Sequence, residues 1–261
     1  MRKDPIIMGI LNITPNSFSD GGKYFSEKRA VQHALQMIED GADVIDVGGE
    51  STRPGSKSVS EKEELRRVIS VIKKLSKKGI VVSIDTQKPH VAEEAVKAGA
   101  QWINDVGGFR LAEMRRVAAK FKTKCVIMHM KGKPRTMQKN PEYKNVVREV
   151  YTFLKKQVQL CVKDGIKKKN IFVDPGIGFG KTLEHNLDLI KNLKKFTRLA
   201  PVLLGVSRKS LFKQLLGIEN PKERVTASVV MGMIGVYKGV GVLRVHDVLE
   251  TKRMVDLLIR I

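Results

Sequence analysis

Apolar runs along this chain end, one after another, in groups able to bind polar ligands or to carry charge. They are Asn12, Asp46, Asp85, Asn104 with Asp105, His129, Asp174, Ser207 to Lys209, and Arg244 with His246. Carboxylates accept hydrogen bonds, an amide both donates and accepts, and Lys and Arg hold anions. Arg244 and His246 stand two apart on a strand-like run, so their side chains should point the same way and could share one anion. Parallel β/α barrels collect strand-end groups of this kind at one mouth and often bind phosphate near strands seven and eight.

Such a mouth needs strands and helices to build it. Apolar runs with β-branched residues lie at 6–11, 44–47, 80–84, 102–103, 125–128, 171–173, 202–204 and 242–245. Segments of helical period fill the intervals at 27–40, 61–78, 89–98, 112–121, 142–164, 183–196, 224–238 and 248–259. Ser60 with Glu63 makes a capping-box pattern, and Gly41, Gly79, Gly99 and Gly165 each follow a helix where a left-handed cap is wanted. Eight alternating pairs in 261 residues predict an α/β fold, a (β/α)8 TIM barrel in a single domain spanning 1–261. Helix-to-strand joints are tight, whereas the loops at 12–26, 48–60, 129–141 and 174–182 are long and polar, which places function on one rim.

Composition excludes several classes. The formal charge of +22 is spread in pairs such as Arg66-Arg67, Lys73-Lys74, Lys77-Lys78 and Lys194-Lys195 on segments that read as outer helices. With no recognised module and no interleaved aromatics, nucleic-acid binding is disfavoured, and the field is better suited to drawing in anionic substrates. No signal peptide is expected, and the longest apolar stretch, 227–237, falls short of the roughly 20 residues that cross a bilayer. Cys125 and Cys161 lack metal-ligand spacing, so buried thiols and a cytoplasmic setting are expected. His129 between Met128 and Met130 reads as packing or pocket lining rather than a soft-metal site, and His33 and His185 fall within helix patterns. The glycines of 176–180 match neither a Walker loop nor a dinucleotide fingerprint.

The motifs are Asn12-Ile-Thr-Pro-Asn-Ser-Phe-Ser-Asp-Gly-Gly22, Asp46-Val-Gly-Gly-Glu-Ser-Thr-Arg-Pro-Gly55, Ser83-Ile-Asp-Thr86, Ile103-Asn-Asp-Val106, Val173-Asp-Pro-Gly-Ile-Gly-Phe-Gly-Lys181, Gly205-Val-Ser-Arg-Lys-Ser210 and Arg244-Val-His-Asp247. Taken in order from Gly9 to Asp247, they resemble the dihydropteroate synthase family of pterin-binding barrels. The resemblance implies a folate-pathway transferase. It would join 6-hydroxymethyl-7,8-dihydropterin diphosphate to 4-aminobenzoate, release diphosphate, use Mg2+ and form a homodimer.

The resemblance also implies roles for particular residues. Asp85, Asn104 and Asp174 would hold the pterin, with Lys209 donating to its acceptor atoms. Arg244, Val245 and His246 would bind the diphosphate, Asn12 the Mg2+ that bridges its oxygens, and Thr52 and Arg53 would close over it. Phe18, Pro54, Phe179 and Ser210 would form the aminobenzoate site. Asp20, Thr52, Arg53, Asp85 and Lys209 are the implied catalytic set, with Asp20 and Asp85 stabilising positive charge at the pterin methylene during a dissociative substitution. No activated Ser, Cys or Lys nucleophile is needed, and an ordered scheme with the pterin first is expected.

The chain also departs from the family. Asn16 stands where many members carry Asp, so Mg2+ affinity should be weaker if that carboxylate helps hold the ion, and Arg224-Val-Thr226 and Gly239-Val-Gly241 differ at positions read as remote from the chemistry. A corrinoid-dependent methyltransferase would share the Asp and Asn contacts but has no use for Ser51 to Pro54 or Ser207 to Ser210. Two further readings stay open: a non-catalytic basic barrel that recruits RNA, and a homologue that kept its pocket without activity.

Overall fold

The computed structural model describes residues 4–13, 22–51, 55–56 and 58–261, with backbone alone for 22–26. Eight parallel strands close into a barrel in sequence order: β1 (Ile6–Asn12), β2 (Val44–Gly48), β3 (Val82–Asp85), β4 (Trp102–Asp105), β5 (Lys124–Met128), β6 (Ile171–Asp174), β7 (Val202–Leu204) and β8 (Val240–Val245). β1 closes the ring by pairing with β8, Met8 opposite Arg244. Strands in such a sheet are covered on both faces, which is why their sequences are continuous apolar runs rather than alternating ones.

Helices wrap the barrel: α1 (Gly22–Glu39), α2 (Glu61–Lys77), α3 (Pro89–Lys97), α4 (Ala112–Phe121), α5 (Val146–Lys163), α6 (Leu183–Lys191), α7 (Leu193–Phe196), α8 (Leu211–Leu216), α9 (Val225–Tyr237) and α10 (Val248–Arg260). α5 starts four residues later than its periodicity predicts, because Asn145 accepts from the Arg148 amide and sets the N-terminus. The predicted 183–196 helix breaks at Asn192, whose side chain donates to the Asp188 carbonyl. The short α8 was not legible, being one and a half turns within a loop. At α2, Ser60 accepts from the Glu63 amide at 3.3 Å, but the Glu63 carboxylate turns to Arg66 and Arg67 instead of closing the box. The full capping box belongs to Thr182 and His185. Gly41, Gly79, Gly99 and Gly165 all have positive φ, as the cap reading requires. The acids on the outer helices pair with their basic neighbours, as in Lys97 with Glu94 at 2.8 Å and Lys120 with Glu93 at 3.0 Å.

Strand alternation divides the interior into two layers along one inner face. Met8, Val44, Trp102, Val126, Phe172, Leu203 and Val242 form an apolar plug inside the barrel. Trp102 and Phe172 meet there with ring centroids 4.6 Å apart. Two residues further along stand Ile10, Asp46, Asn104, Met128, Asp174, Gly205 just past β7, and Arg244, with Ser83 and then Asp85 of β3 following Val81, which precedes that strand. The opposite residues of each strand, among them Ile7, Ile45, Val47, Ile84, Ile103 and Val173, pack outward against the helices. A period of two therefore sets a charged floor directly on an apolar plug.

Candidate active site

Arg244 is the centre of that floor. Its Nε lies 2.6 Å from Asp46 Oδ2 and its Nη2 lies 2.7 Å from Asp85 Oδ2. Asn104 Nδ2 donates to the same Asp46 oxygen at 3.0 Å. Asp46 is fully buried and Asp85 is 6% exposed, yet Asp46 Oδ1 and Asp85 Oδ1 are buried with no hydrogen-bond partner among the described residues. Carboxylate oxygens withdrawn from water and left open are costly unless a ligand completes them. Burial raises Asp85 to about 7 against the pull of Arg244, with Asp46 and Glu64 adding to the rise. Burial also opposes the charge on Arg244, but Asp46 and Asp85 overcome it and raise its pKa.

Asp174 and Lys209 face this cluster from β6 and the loop after β7. Asp174 Oδ1 accepts from the Gly176 amide at 2.7 Å, and its pKa is raised by burial against the opposing charges of Lys209, Lys181 and Arg244. Lys209 Nζ donates to the Ile177 carbonyl and stands 4.7 Å from the centre of the Phe179 ring. Burial lowers Lys209 to about 8, with Asp174 resisting and Arg244 assisting. Phe179 packs against Val106, Met128, Met130 and Met137, so one aromatic ring joins an apolar wall to the lysine.

The loop that presents these groups is held from beneath. Gly176 has φ +70° and any Cβ there would fall 1.9 Å from the His129 carbonyl oxygen, so only glycine lets the loop cross the end of β5. Lys181, 3% exposed, reaches Nδ1 of His129 at 3.0 Å, the His129 carbonyl at 3.3 Å and the Phe179 carbonyl at 2.9 Å. Burial and Lys181 push the imidazole pKa far down, and Phe153 packs edge-on at 5.1 Å. His129 is thus a neutral packing histidine.

Lys209 depends on a second set of ties that the sequence did not disclose. Arg208, at φ +57°, forms a two-pronged pair with Asp247, and its amide donates to Ser228 Oγ at 2.9 Å. Buried Arg224 donates to the carbonyls of Arg208, Ile218 and Glu219. Arg224, read from sequence as remote, in fact anchors the segment that carries Lys209. The signal was weak: an arginine in an apolar helix start looks like a solvated cap until its partners are seen.

The remaining predicted residues divide cleanly. β8 ends at Val245, and His246 Nδ1 pairs with Ser207 Oγ at 3.1 Å while Arg244 turns into the floor, so the two engage different partners here. Val245 packs its side chain into the outer core, leaving only its backbone for a ligand. Ser210 is exposed at the start of α8. Phe18 and Asp20 of the first loop, with Asn16, and Thr52, Arg53 and Pro54 of the second lie outside the described residues. Asp46 is legible at a strand end, but its motif gives it no role. Glu50, in the loop after β2, and Glu64, in α2, carry no role from sequence either, and both pair with Lys88.

For Mg2+ the donor chemistry fits. Asn12 ends β1 on the inner face, and both Asn12 Oδ1 and Asp85 Cβ border Gly48, 3.4 Å and 3.7 Å from where its Cβ would stand, so amide and carboxylate share the mouth. A hard amide oxygen beside acids suits an ion that takes few protein ligands and completes its shell on substrate phosphate. Among the described residues no cluster of three or more His, Cys, Asp or Glu forms a cation cage.

Known proteins resemble this chain along nearly its whole length. The model of the pterin binding enzyme family matches residues 8–246. The dihydropteroate synthase of Clostridium beijerinckii is 47% identical, over 97% of this chain and 94% of that protein. A Xanthomonas albilineans dihydropteroate synthase with 4-aminobenzoic acid superposes with a TM-score of 0.92 at 42% identity, covering 98% of this chain and 93% of the other. A structure of that enzyme in complex with 7,8-dihydropteroate gives 0.89 at 38%, covering 100% and 94%. With its floor of acids around one arginine and its near full-length likeness to these enzymes, the chain belongs to the pterin binding enzymes and, within them, to the dihydropteroate synthase family.

Proposed function

We propose that this protein condenses 6-hydroxymethyl-7,8-dihydropterin diphosphate with 4-aminobenzoate to give 7,8-dihydropteroate and diphosphate. The observation that carries it is the convergence of Asp46, Asp85, Asn104 and Arg244 on one buried floor, with two carboxylate oxygens open. A flat, donor-rich heterocycle completes those oxygens. Asn104, with its NH2 committed to Asp46, presents its carbonyl oxygen as a further acceptor. Asp174 adds an acceptor from β6, and Lys209 a donor.

In the reaction the C–O bond at the pterin methylene breaks and diphosphate leaves with the electron pair. Arg244 holds the departing anion, and Asp85 faces the positive charge that spreads from the methylene into the ring. The arylamine, stacked along Phe179 beside Lys209, donates its lone pair to that carbon and then loses a proton to solvent or phosphate. Mg2+ held through Asn12 would neutralise charge on the diphosphate oxygens. We assign Asp20, Thr52 and Arg53 to closure over the diphosphate, and Phe18, Pro54 and Ser210 to the aminobenzoate pocket.

The finer features follow the same reading. Two free, buried cysteines fit a cytoplasmic protein, and no helix among the described residues is long and apolar enough to cross a membrane. We assign the homodimer surface to α9 with α10, because α9 is predominantly apolar and Val230, Tyr237 and Leu257 remain 45%, 55% and 60% exposed. Calorimetry tests the enzymatic reading. The pterin diphosphate with Mg2+ should bind the free protein, 4-aminobenzoate should bind only afterwards, and dihydropteroate should form. Equal aminobenzoate binding to the empty protein would remove the order, and absence of pterin binding would remove the function.

A further inference from the structure

The floor holds its anion-binding arginine in a two-acid clasp whose arms are not equivalent. Asp46 takes Nε of Arg244 on Oδ2, is wholly buried, and accepts from the Asn104 amide on that same oxygen. Asp85 takes Nη2, stands at the end of β3 at the open side of the floor, and lies beside Asn12 and Gly48. The oxygen of Asp85 that meets Nη2 would otherwise be free to accept from a pterin. Conversely, the Nη2 that meets Asp85 would otherwise be free for a diphosphate.

We propose that Asp46 is a positioning residue, the fixed pivot on which Arg244 exchanges its outer arm between Asp85 and the substrate's diphosphate, so that the two halves of the substrate are recognised cooperatively. This rests on the pterin diphosphate reading of the site. Asp85 Oδ2 and Arg244 Nη2 hold one another here, while Asp85 Oδ1 has no partner among the described residues. A diphosphate that draws Nη2 away uncovers Asp85 Oδ2 for the heterocycle, and a heterocycle on Asp85 releases Nη2 for the diphosphate. Nε stays on Asp46, so the guanidinium rotates about a fixed point and is not lost to solvent. Because Asp46 also fixes the Asn104 amide, the pivot sets which face of that side chain the heterocycle meets. The exchange involves no bond making or breaking beyond hydrogen bonds.

Such linkage is reciprocal by necessity: each half-ligand must tighten the other by the same factor. The test uses inorganic diphosphate with Mg2+ and, separately, a pterin carrying no 6-substituent. Wild-type protein should bind each alone. Saturating diphosphate should tighten the pterin on the order of 5- to 50-fold, within the span usual for coupled sites, and pterin should tighten diphosphate equally. Asp46→Asn, which keeps shape and removes the anchoring charge, should bring this ratio to about one. A residue with only a structural role would weaken both ligands and leave their ratio intact. Arg244→Lys supplies an independent arm, since an ammonium cannot hold two acceptors in a fixed fork and should also abolish the coupling.

If wild type binds both half-ligands without coupling, or if Asp46→Asn retains the wild-type ratio, the pivot is wrong while the enzyme assignment survives. If wild type binds neither, the assignment itself fails. Should Asp46→Asn not fold, an unchanged ratio in Arg244→Lys overturns the pivot by itself.

Discussion

The same strands build two adjacent layers of opposite character. In the lower one, Met8, Val44, Trp102, Val126, Phe172, Leu203 and Val242 fill the barrel with apolar contact. The upper one lies two residues along for Asp46, Asn104, Asp174 and Arg244 and four for Asp85. There Asp46 and Asp85 each keep a buried carboxylate oxygen with no partner among the described residues. The lower layer is complete as it stands and serves stability. The upper layer is held open by its surroundings and is completed by what binds it. Removing Arg244 outright would leave two buried carboxylates facing each other, a change that costs about 3–5 kcal/mol in comparable sites. Conservative substitutions separate function from folding better.

The largest effect is expected at Asp85. Asp85→Asn keeps size and burial but removes the charge proposed to face the reacting carbon. Its kcat/KM should fall on the order of 100- to 1000-fold, as for other lost electrostatic contacts, with the thermal midpoint close to wild type. A variant within threefold of wild type would show that the upper layer is structural after all. Trp102→Ala in the lower layer should do the reverse, costing about 3–5 kcal/mol of stability in denaturant melts while the remaining folded protein keeps its turnover. Loss of kcat without loss of stability there would erase the distinction between layers.

A smaller effect probes the upper layer through pH. Asp85, raised to about 7, must be ionised to pair with Arg244 and to face positive charge, so activity should climb as pH rises through that value. Lys209, lowered to about 8, is charged below that value, so activity should fall as pH rises beyond it. The expected kcat/KM profile is a narrow bell between them. Asp85→Asn should lose the acidic limb and keep the basic one, and a flat wild-type profile from about pH 6 to 9 would detach both residues from the chemistry.

Much of the site could be read from residue order because a barrel imposes simple geometry. An acid at a strand end points either inward or outward by parity, and Asp85, Asn104, Asp174 and Arg244 all have the inward parity of the apolar plug. Asp105, one residue out of phase, instead accepts from the Gly107 and Phe109 amides and shapes a loop. What order could not reveal was partnership. Arg244 and Asp46 are 198 residues apart, and Arg224 looked peripheral until its three carbonyl acceptors were located.

Residue order alone dictates the barrel, its eightfold alternation, the rim that bears function and the side chains presented there, since those follow from local periodicity and from motifs that sit close together in the chain. It takes the folded chain to share Arg244 between two acids, to join it through Asp46 to Asn104, and to set Lys181 and Arg224 beneath the loops they hold. Charges choose partners by distance and burial in three dimensions, and closing a ring of eight strands makes neighbours of residues that no local pattern connects.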